Sequence, residues 1–352
     1  MLAPVRQIIP LANIRRERVL PIQGRITARR MQKVTPTDVV AQAVLEPEHI
    51  MLDLTQGLNV SQERAEELIQ RQVGDVLSKG DVIAGPVGLF QRVVRAPSDG
   101  EVKLAAEGKV LLEKETQPYQ LLAGMEGTVT NIIPDRGVII ETRGALIQGV
   151  WGNGHVAHGV MQTLNRDLDE EVLPEQIDIS FRGAIAVGGY CKNPDFFHTA
   201  ASIPVKGVVL GSMSSSLIPV AEDMDYPIII VDGFGQRAMN ASAVKLILSN
   251  NEKEFSLNAQ KFDQNMGDYP EIIISLPSPE SSHPPRDLDP ISIGKQAYIL
   301  SGPHASRIGT IENLFPDEYT FPNGIQAAGA EVDLGRTEKI IVPVRNLELI
   351  ET

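Results

Sequence analysis

Three glycine- and serine-rich segments hold the residue types that bind small anions: Gly188-Gly189-Tyr190-Cys191, Gly211-Ser212-Met213-Ser214-Ser215-Ser216 and Asp232-Gly233-Phe234-Gly235-Gln236-Arg237. Each closes a short apolar run, which places it at the carboxyl end of a strand, where ligands of open parallel sheets sit. The serine cluster opens a predicted helix whose first N–H groups lack partners within the helix and can hold an anion. Arg237 adds a guanidinium fork suited to a phosphate or carboxylate. The candidate ligand or anion residues are therefore Ser212, Ser214, Ser215, Asp232 and Arg237. Turns and helix caps require the same glycines and serines. None of the segments has P-loop or GxGxxG spacing, so no nucleotide cofactor is called for.

Other reactive groups are sparse. His155 and His158 stand beside the single tryptophan, Trp151, while Cys191 and His198 lie elsewhere. Paired CxxC or HExxH spacing is missing, so the sequence calls for no metal, and a polar glycine-rich connector accounts for the histidines. A nucleophilic Cys191 needs a paired base; nothing in the spacing fixes His198 in that role, and a half-buried structural thiol is expected. The acidic run Asp167 to Glu171 reads as a solvated linker. No residue is assigned a catalytic role.

The elements that must carry the three segments lie within 175–275. Apolar runs at 183–187, 207–210 and 228–231 alternate with helix-length stretches at 193–202, 214–224 and 240–248, and a short strand follows at 254–257. Continuous apolar strands alternating with helices predict a small α/β domain with a parallel sheet covered on both faces. Residues 1–150 carry brief Val/Ile runs punctuated by Gly, Pro and Asp, which predicts β structure. One helix is inserted at about 61–73, with Ser61 as its N-cap. Residues 151–174 form a Gly/acidic connector, 276–290 a Pro/Ser linker, and 291–352 a final small β module. The expected fold class is multidomain, mostly β, with a small α/β central domain.

Length and composition agree with this partition. At about 150 residues per domain, 352 residues predict two or three domains. With 42% apolar and 22% charged residues the chain buries an ample core, and one cysteine excludes a disulfide framework. No apolar run reaches the roughly 20 residues that span a bilayer, and the early prolines and arginines interrupt any signal-peptide core. The expected setting is cytoplasmic, without membrane attachment.

The net charge of −13 is unevenly spread: residues 1–33 hold eight Arg/Lys and only Glu17. A face that binds nucleic acid needs clustered cations. Arg15, Arg16, Arg18, Arg25, Arg29 and Arg30 are accordingly the candidates for contact with nucleic acid or an acidic partner.

Gly294, Ala297, Ile299, Gly302, Gly309 and Ile311 fall on the glycine and apolar positions of the KOW motif, and the segment 294–311 resembles that SH3-like barrel of transcription and ribosomal proteins. Val342 to Leu349 looks like its last strand. The resemblance implies docking on transcription or translation machinery, with Tyr298 as the one aromatic placed to stack on a base. Ala305-Ser306 stands where the family has Lys-Gly, and the acidic module is suited to protein contact. Val76 to Ala84 and Val94 to Val102 resemble the two halves of a barrel-sandwich hybrid, and Val34 to Ala41 repeats the first signature. The hairpin Gly85 to Arg92 lacks the lysine that biotinyl and lipoyl carriers modify, so the resemblance implies a non-carrier scaffold. Together these readings predict a non-enzymatic interaction protein. A ligand-binding, possibly enzymatic, α/β domain with β modules for oligomerisation and a self-assembling structural protein are the alternatives.

Overall fold

The computed structural model describes all residues except 1, 89–90, 115–117, 166–167, 262–268, 277–283, 306, 336–337 and 351–352. Most of the expected Pro/Ser linker, Asp167 and Ser306 therefore lie outside the described residues. The protein is mostly β. Its contacts divide it into two compact units, one of residues 1–19, 26–40 and 121–352, the other of 20–25 and 41–120. The Leu2–Arg6 and Ile8–Val19 strands pair with partners more than 100 residues away, which local composition does not reveal.

In the larger unit an eleven-stranded mixed sheet contains the expected parallel run. The Ile185–Cys191, Gly207–Met213 and Ile228–Phe234 strands pair in parallel in that order, and Val156–Thr163 joins beside Ile185–Cys191. Helix Ala241–Ser249 starts where the Asn240 side chain accepts the Ala243 N–H at 2.9 Å. It packs Ala243, Leu246 and Ile247 on one face of the sheet, against Val187, Val209 and Val231. Phe196 and Phe197 of helix Asp195–Ser202, with Ala221, cover Ala186, Val208 and Ile230 on the other face. With both faces covered, continuous apolar strands are what burial requires.

The sheet does not end with these strands. Val156–Thr163 pairs antiparallel with Glu254–Asn258, which pairs with Glu271–Ser275, then Gly137–Gln148. The parallel run is thus part of a larger sheet and does not stand as a separate α/β domain. The expected connector at 151–174 likewise contains two strands of this sheet, Trp151–Gly152 and Val156–Thr163.

Most of residues 2–33 lie in strands: Leu2–Arg6, Ile8–Val19, Arg25–Ile26 and the start of Lys33–Val34. Ile8–Val19 pairs along Gly137–Gln148, and Leu2–Arg6 pairs in parallel with Leu347–Ile350. The latter pairing adds a strand to the expected C-terminal β module, whose Gln296–Ile299, Ile308–Thr320, Gln326–Asp333 and Lys339–Pro343 strands continue a seven-stranded sheet.

The smaller unit holds a four-stranded sheet ordered His49–Asp53, Lys109–Lys114, Gly100–Ala106, Val76–Leu77. Helix Gln62–Glu67 begins at Ser61 as expected, the Ser61 Oγ accepting the Arg64 N–H, but it is shorter than its apolar stripe implied. A helix the sequence reading missed, Leu54–Leu58, is capped by Asp53. Leu54, Leu58 and Ala65 pack with Leu77, Val102, Val110 and Leu112 into this unit's core. No helix among the described residues is long and apolar enough to cross a membrane.

Candidate functional site

The three segments singled out from the sequence end adjacent strands, so the fold brings them together. At the first two the chain itself fills the space beyond the turn, whereas a Cβ on Gly233 or Gly235 of the third meets nothing within 4 Å. The Val172 N–H donates to Tyr190 O at 2.8 Å, and the Tyr190 N–H donates to Glu170 O at 3.1 Å. A Cβ on Gly189 would stand 2.2 Å from Glu170 O, one on Gly188 2.2 Å from Val172 Cγ1, and one on Gly211 2.7 Å from the Met239 nitrogen. These glycines admit neighbouring chain, where a phosphate site would use them to admit a ligand.

The polar candidates are similarly engaged. Buried Ser212 accepts the Arg237 N–H at 3.0 Å, and its Oγ lies 2.8 Å from Arg237 O and 3.1 Å from Gly235 O. Ser212 thereby ties down the 235–237 turn. Ser214 makes no cap bond; its Oγ lies 2.8 Å from Ser216 Oγ, and the helix beyond, Ile218–Glu222, is a single short turn. Ser215 is exposed and Arg237 half-buried.

Asp232 is the most constrained of the five. Its carboxylate accepts the Asn240 N–H at 2.7 Å, Asn240 Nδ2 at 2.9 Å and Arg6 Nη1 at 2.9 Å. Burial pushes the Asp232 carboxyl up from its ordinary range, while Arg6 and Asn240 hold it back. Arg6 also donates through Nε to Glu348 at 2.8 Å and lies 3.9 Å above the Tyr298 ring. Burial works against the guanidinium charge, but Glu348, Tyr298 and Asp232 raise its pKa, so it stays charged. Arg6 was not among the sequence candidates. Tyr298, the expected base-stacking residue, is 1% exposed beneath it and is not available to a base.

The six candidate arginines separate by strand face. Arg16 Nε donates to both Glu271 oxygens, at 2.9 and 3.0 Å, and buried Arg18 donates to Ala123 O at 2.9 Å. Both share the face of buried Ile14 on the Ile8–Val19 strand, a signal the sequence does contain. Arg15 is exposed and paired with Glu17 at 3.1 Å. Arg25, Arg29 and Arg30 are exposed, and none pairs with a carboxylate among the described residues.

Cys191 is buried and 3.3 Å from Asn193 O; burial pushes its thiol up to about 12. It is a buried structural thiol, more enclosed than the half-burial expected. Among the described residues no group of three His, Cys, Asp or Glu is placed to hold a metal.

The smaller unit presents a different feature. Met51, Leu111 and Leu104 stand opposite one another across three strands of its sheet, on the face away from the core. Met51 is 55% and Leu104 42% exposed, and Val76 at the sheet edge is 78% exposed. One pair along lie His49, Glu113 and Glu101. A bulge after Val102 sets Lys103 between the two glutamates, 2.9 Å from Glu101 and 3.2 Å from Glu113. On the other flank Asp53 stands opposite Lys109. The face is an apolar row between charges that largely neutralise one another.

Compared with protein-family models and with curated proteins, the chain matches neither a family nor a relative.

Proposed function

We propose that the protein is a non-enzymatic interaction protein that docks a protein partner on the outer face of its four-stranded sheet. The observation that carries this reading is the uncovered row Met51–Leu111–Leu104. Contiguous exposed apolar surface rimmed by charge is the physical mark of a protein contact. Its rim mixes Glu101, Glu113 and Asp53 with Lys103 and Lys109, a balance of signs that offers a polyanion no net attraction, so a protein suits the face better than nucleic acid. The chain packed against Gly188, Gly189 and Gly211 favours this reading over an enzymatic α/β domain. In this proposal the smaller unit is a barrel-sandwich-like scaffold and the C-terminal module a KOW-like, SH3-like barrel. The setting is the cytoplasm, on a macromolecular assembly such as the transcription or translation machinery.

The test is site-specific photo-cross-linking in cells, with benzoylphenylalanine at position 51 and, as control, at exposed Ile179. A discrete heterologous adduct at 51, absent at 179 and abolished by Leu104→Asp, is the expected result. The same adducts at both positions, no adduct, or adducts only to a second copy of this chain would overturn the proposal.

A further inference from the structure

Between the seven-stranded and the eleven-stranded sheet lies a cavity of about 60 Å³. Its wall is built from Pro4 and Arg6 of the Leu2–Arg6 strand, residues 148–150 at the end of the Gly137–Gln148 strand, Glu348 of Leu347–Ile350, Tyr269 and Asp287. At roughly 10–15 Å³ per water, it has room for a few waters or for one ammonium head with the start of its stem.

We propose that this cavity takes a primary ammonium group carried on an apolar stem, as at the end of a lysine side chain. The lining holds two carboxylates, Asp287 and Glu348, against one cation, Arg6. Arg6 is itself divided: Nε donates to Glu348 at 2.8 Å, Nη1 donates to Asp232 at 2.9 Å outside the cavity, and the guanidinium lies on the Tyr298 ring. Asp287 is held by a neutral donor, Gln7 Nε2, at 2.9 Å. The second oxygen of each carboxylate, Asp287 Oδ2 and Glu348 Oε1, accepts from no described residue, and an ionised carboxylate has acceptor capacity at both oxygens. The lining therefore carries negative charge that a cation balances.

Gln7 gives an independent sign that a donor is missing. It is 3% exposed, its Nε2 is engaged by Asp287, and its buried Oε1 has no donor. Buried acceptors are nearly always paired. Gln7 follows Arg6 in the chain and its carbonyl accepts the Gln148 N–H at 2.8 Å, so it stands between residues of the cavity wall. The unmet groups here are acceptors, and an ammonium is a donor only, with three N–H groups. Exposed Pro4, Val150 and Tyr269 supply an apolar rim of the kind that covers the methylenes of a lysine stem. Burial, then Glu348 and Asp287, raise the Tyr269 phenol above its ordinary value, so both carboxylates act on this one side chain.

The probe is n-butylammonium, titrated into the full chain at constant ionic strength and read on the ring resonances of Tyr269, which Tyr269→Phe assigns in tyrosine-labelled protein. Saturable binding in the millimolar range is expected. It should be at least fivefold weaker for tetramethylammonium, which has no N–H, and for Asp287→Asn, whose amide oxygen still accepts from Gln7. The exposed control Asp225→Asn should leave it unchanged. Both positions are at the surface, so both variants fold. Nα-acetyl-lysine methylamide separates the two sources of such a group. Affinity within fivefold of butylammonium assigns the cavity to a lysine of a partner chain, and weaker binding than that assigns it to a free amine. No saturable butylammonium binding at tens of millimolar would overturn the proposal. So would tetramethylammonium or potassium binding as tightly as butylammonium, or binding indifferent to Asp287→Asn. The cavity lies in the larger unit, so these outcomes do not depend on the docking face proposed above.

Discussion

Arg6 Nη1 lies 2.9 Å from Asp232 Oδ1, and the two side chains are 6% and 0% exposed. Arg6 belongs to the seven-stranded sheet and Asp232 to the eleven-stranded one, so this pair joins the two. The same guanidinium holds Glu348, and the same carboxylate holds the first turn of the helix that begins after Asn240. Truncating one partner of such a pair leaves the other charge buried. Arg6→Met is expected to cost about 3–5 kcal/mol in urea unfolding. Arg6→Met/Asp232→Asn should cost less than the sum of the single changes, because neither charge is then orphaned. Additive losses in this cycle would mean the pair is not coupled.

Cys191 gives a pH dependence with a defined sign. An ordinary thiol titrates near 9.0, and burial raises this one to about 12. Between those values the unfolded chain loses its thiol proton and the folded chain keeps it, so stability falls as pH rises through that window. Cys191→Ala should flatten this part of the pH profile. The native thiol should also resist Ellman's reagent at pH 8 and react fully in denaturant.

The glycines at the ends of the parallel strands should respond to substitution as packing residues. Gly189→Ala drives a Cβ into Glu170 O, and a loss of roughly 2–4 kcal/mol is expected from thermal or urea unfolding. Ser212→Ala leaves the buried Arg237 N–H without its acceptor, for about 1–3 kcal/mol. Exposed Ser215→Ala should lie within about 0.5 kcal/mol of the parent.

The arginine-rich first segment predicts a weak and shallow response to nucleic acid. Arg16 and Arg18 are spent inside the fold, Arg15 is paired with Glu17 and Arg25 belongs to the smaller unit, which leaves Arg29, Arg30 and Lys33 as the exposed group on one turn. Three phosphate contacts limit the log–log salt slope for duplex DNA to about −3. Fluorescence anisotropy between roughly 50 and 200 mM salt measures it; a much steeper slope would require cations beyond these three.

The contrast between what the sequence disclosed and what it concealed follows from range. Gly207 to Leu210 and Ile228 to Val231 announce themselves as buried strands because both faces are apolar, and Asn240 and Ser61 announce helix starts by their own chemistry. The adjacency of the three loops follows from the same local signals. The filling of the first two does not, because Glu170, Val172 and Met239 reach them from outside the turns. Nor does the role of Arg6, whose partners lie 226 and 342 residues away. The glycines of 151–174 read locally as a connector, while the pairings of Trp151–Gly152 and Val156–Thr163 are to strands outside that stretch. Tyr298 alternated as a strand residue should, but which face met solvent depended on Leu2–Arg6, which no local pattern brings there.

The pairing of Val5 with Leu349 and of Arg6 with Ile350 has a consequence during synthesis. Arg6 is made before its acceptor Glu348, which follows 342 positions later. At bacterial or eukaryotic elongation rates of about 5–20 residues per second, that interval is roughly 20–70 s. Throughout it the opening strand has no parallel partner. The seven-stranded sheet can close only as the last strand emerges, so a ribosome stalled before residue 347 carries a nascent chain whose first strand is still waiting.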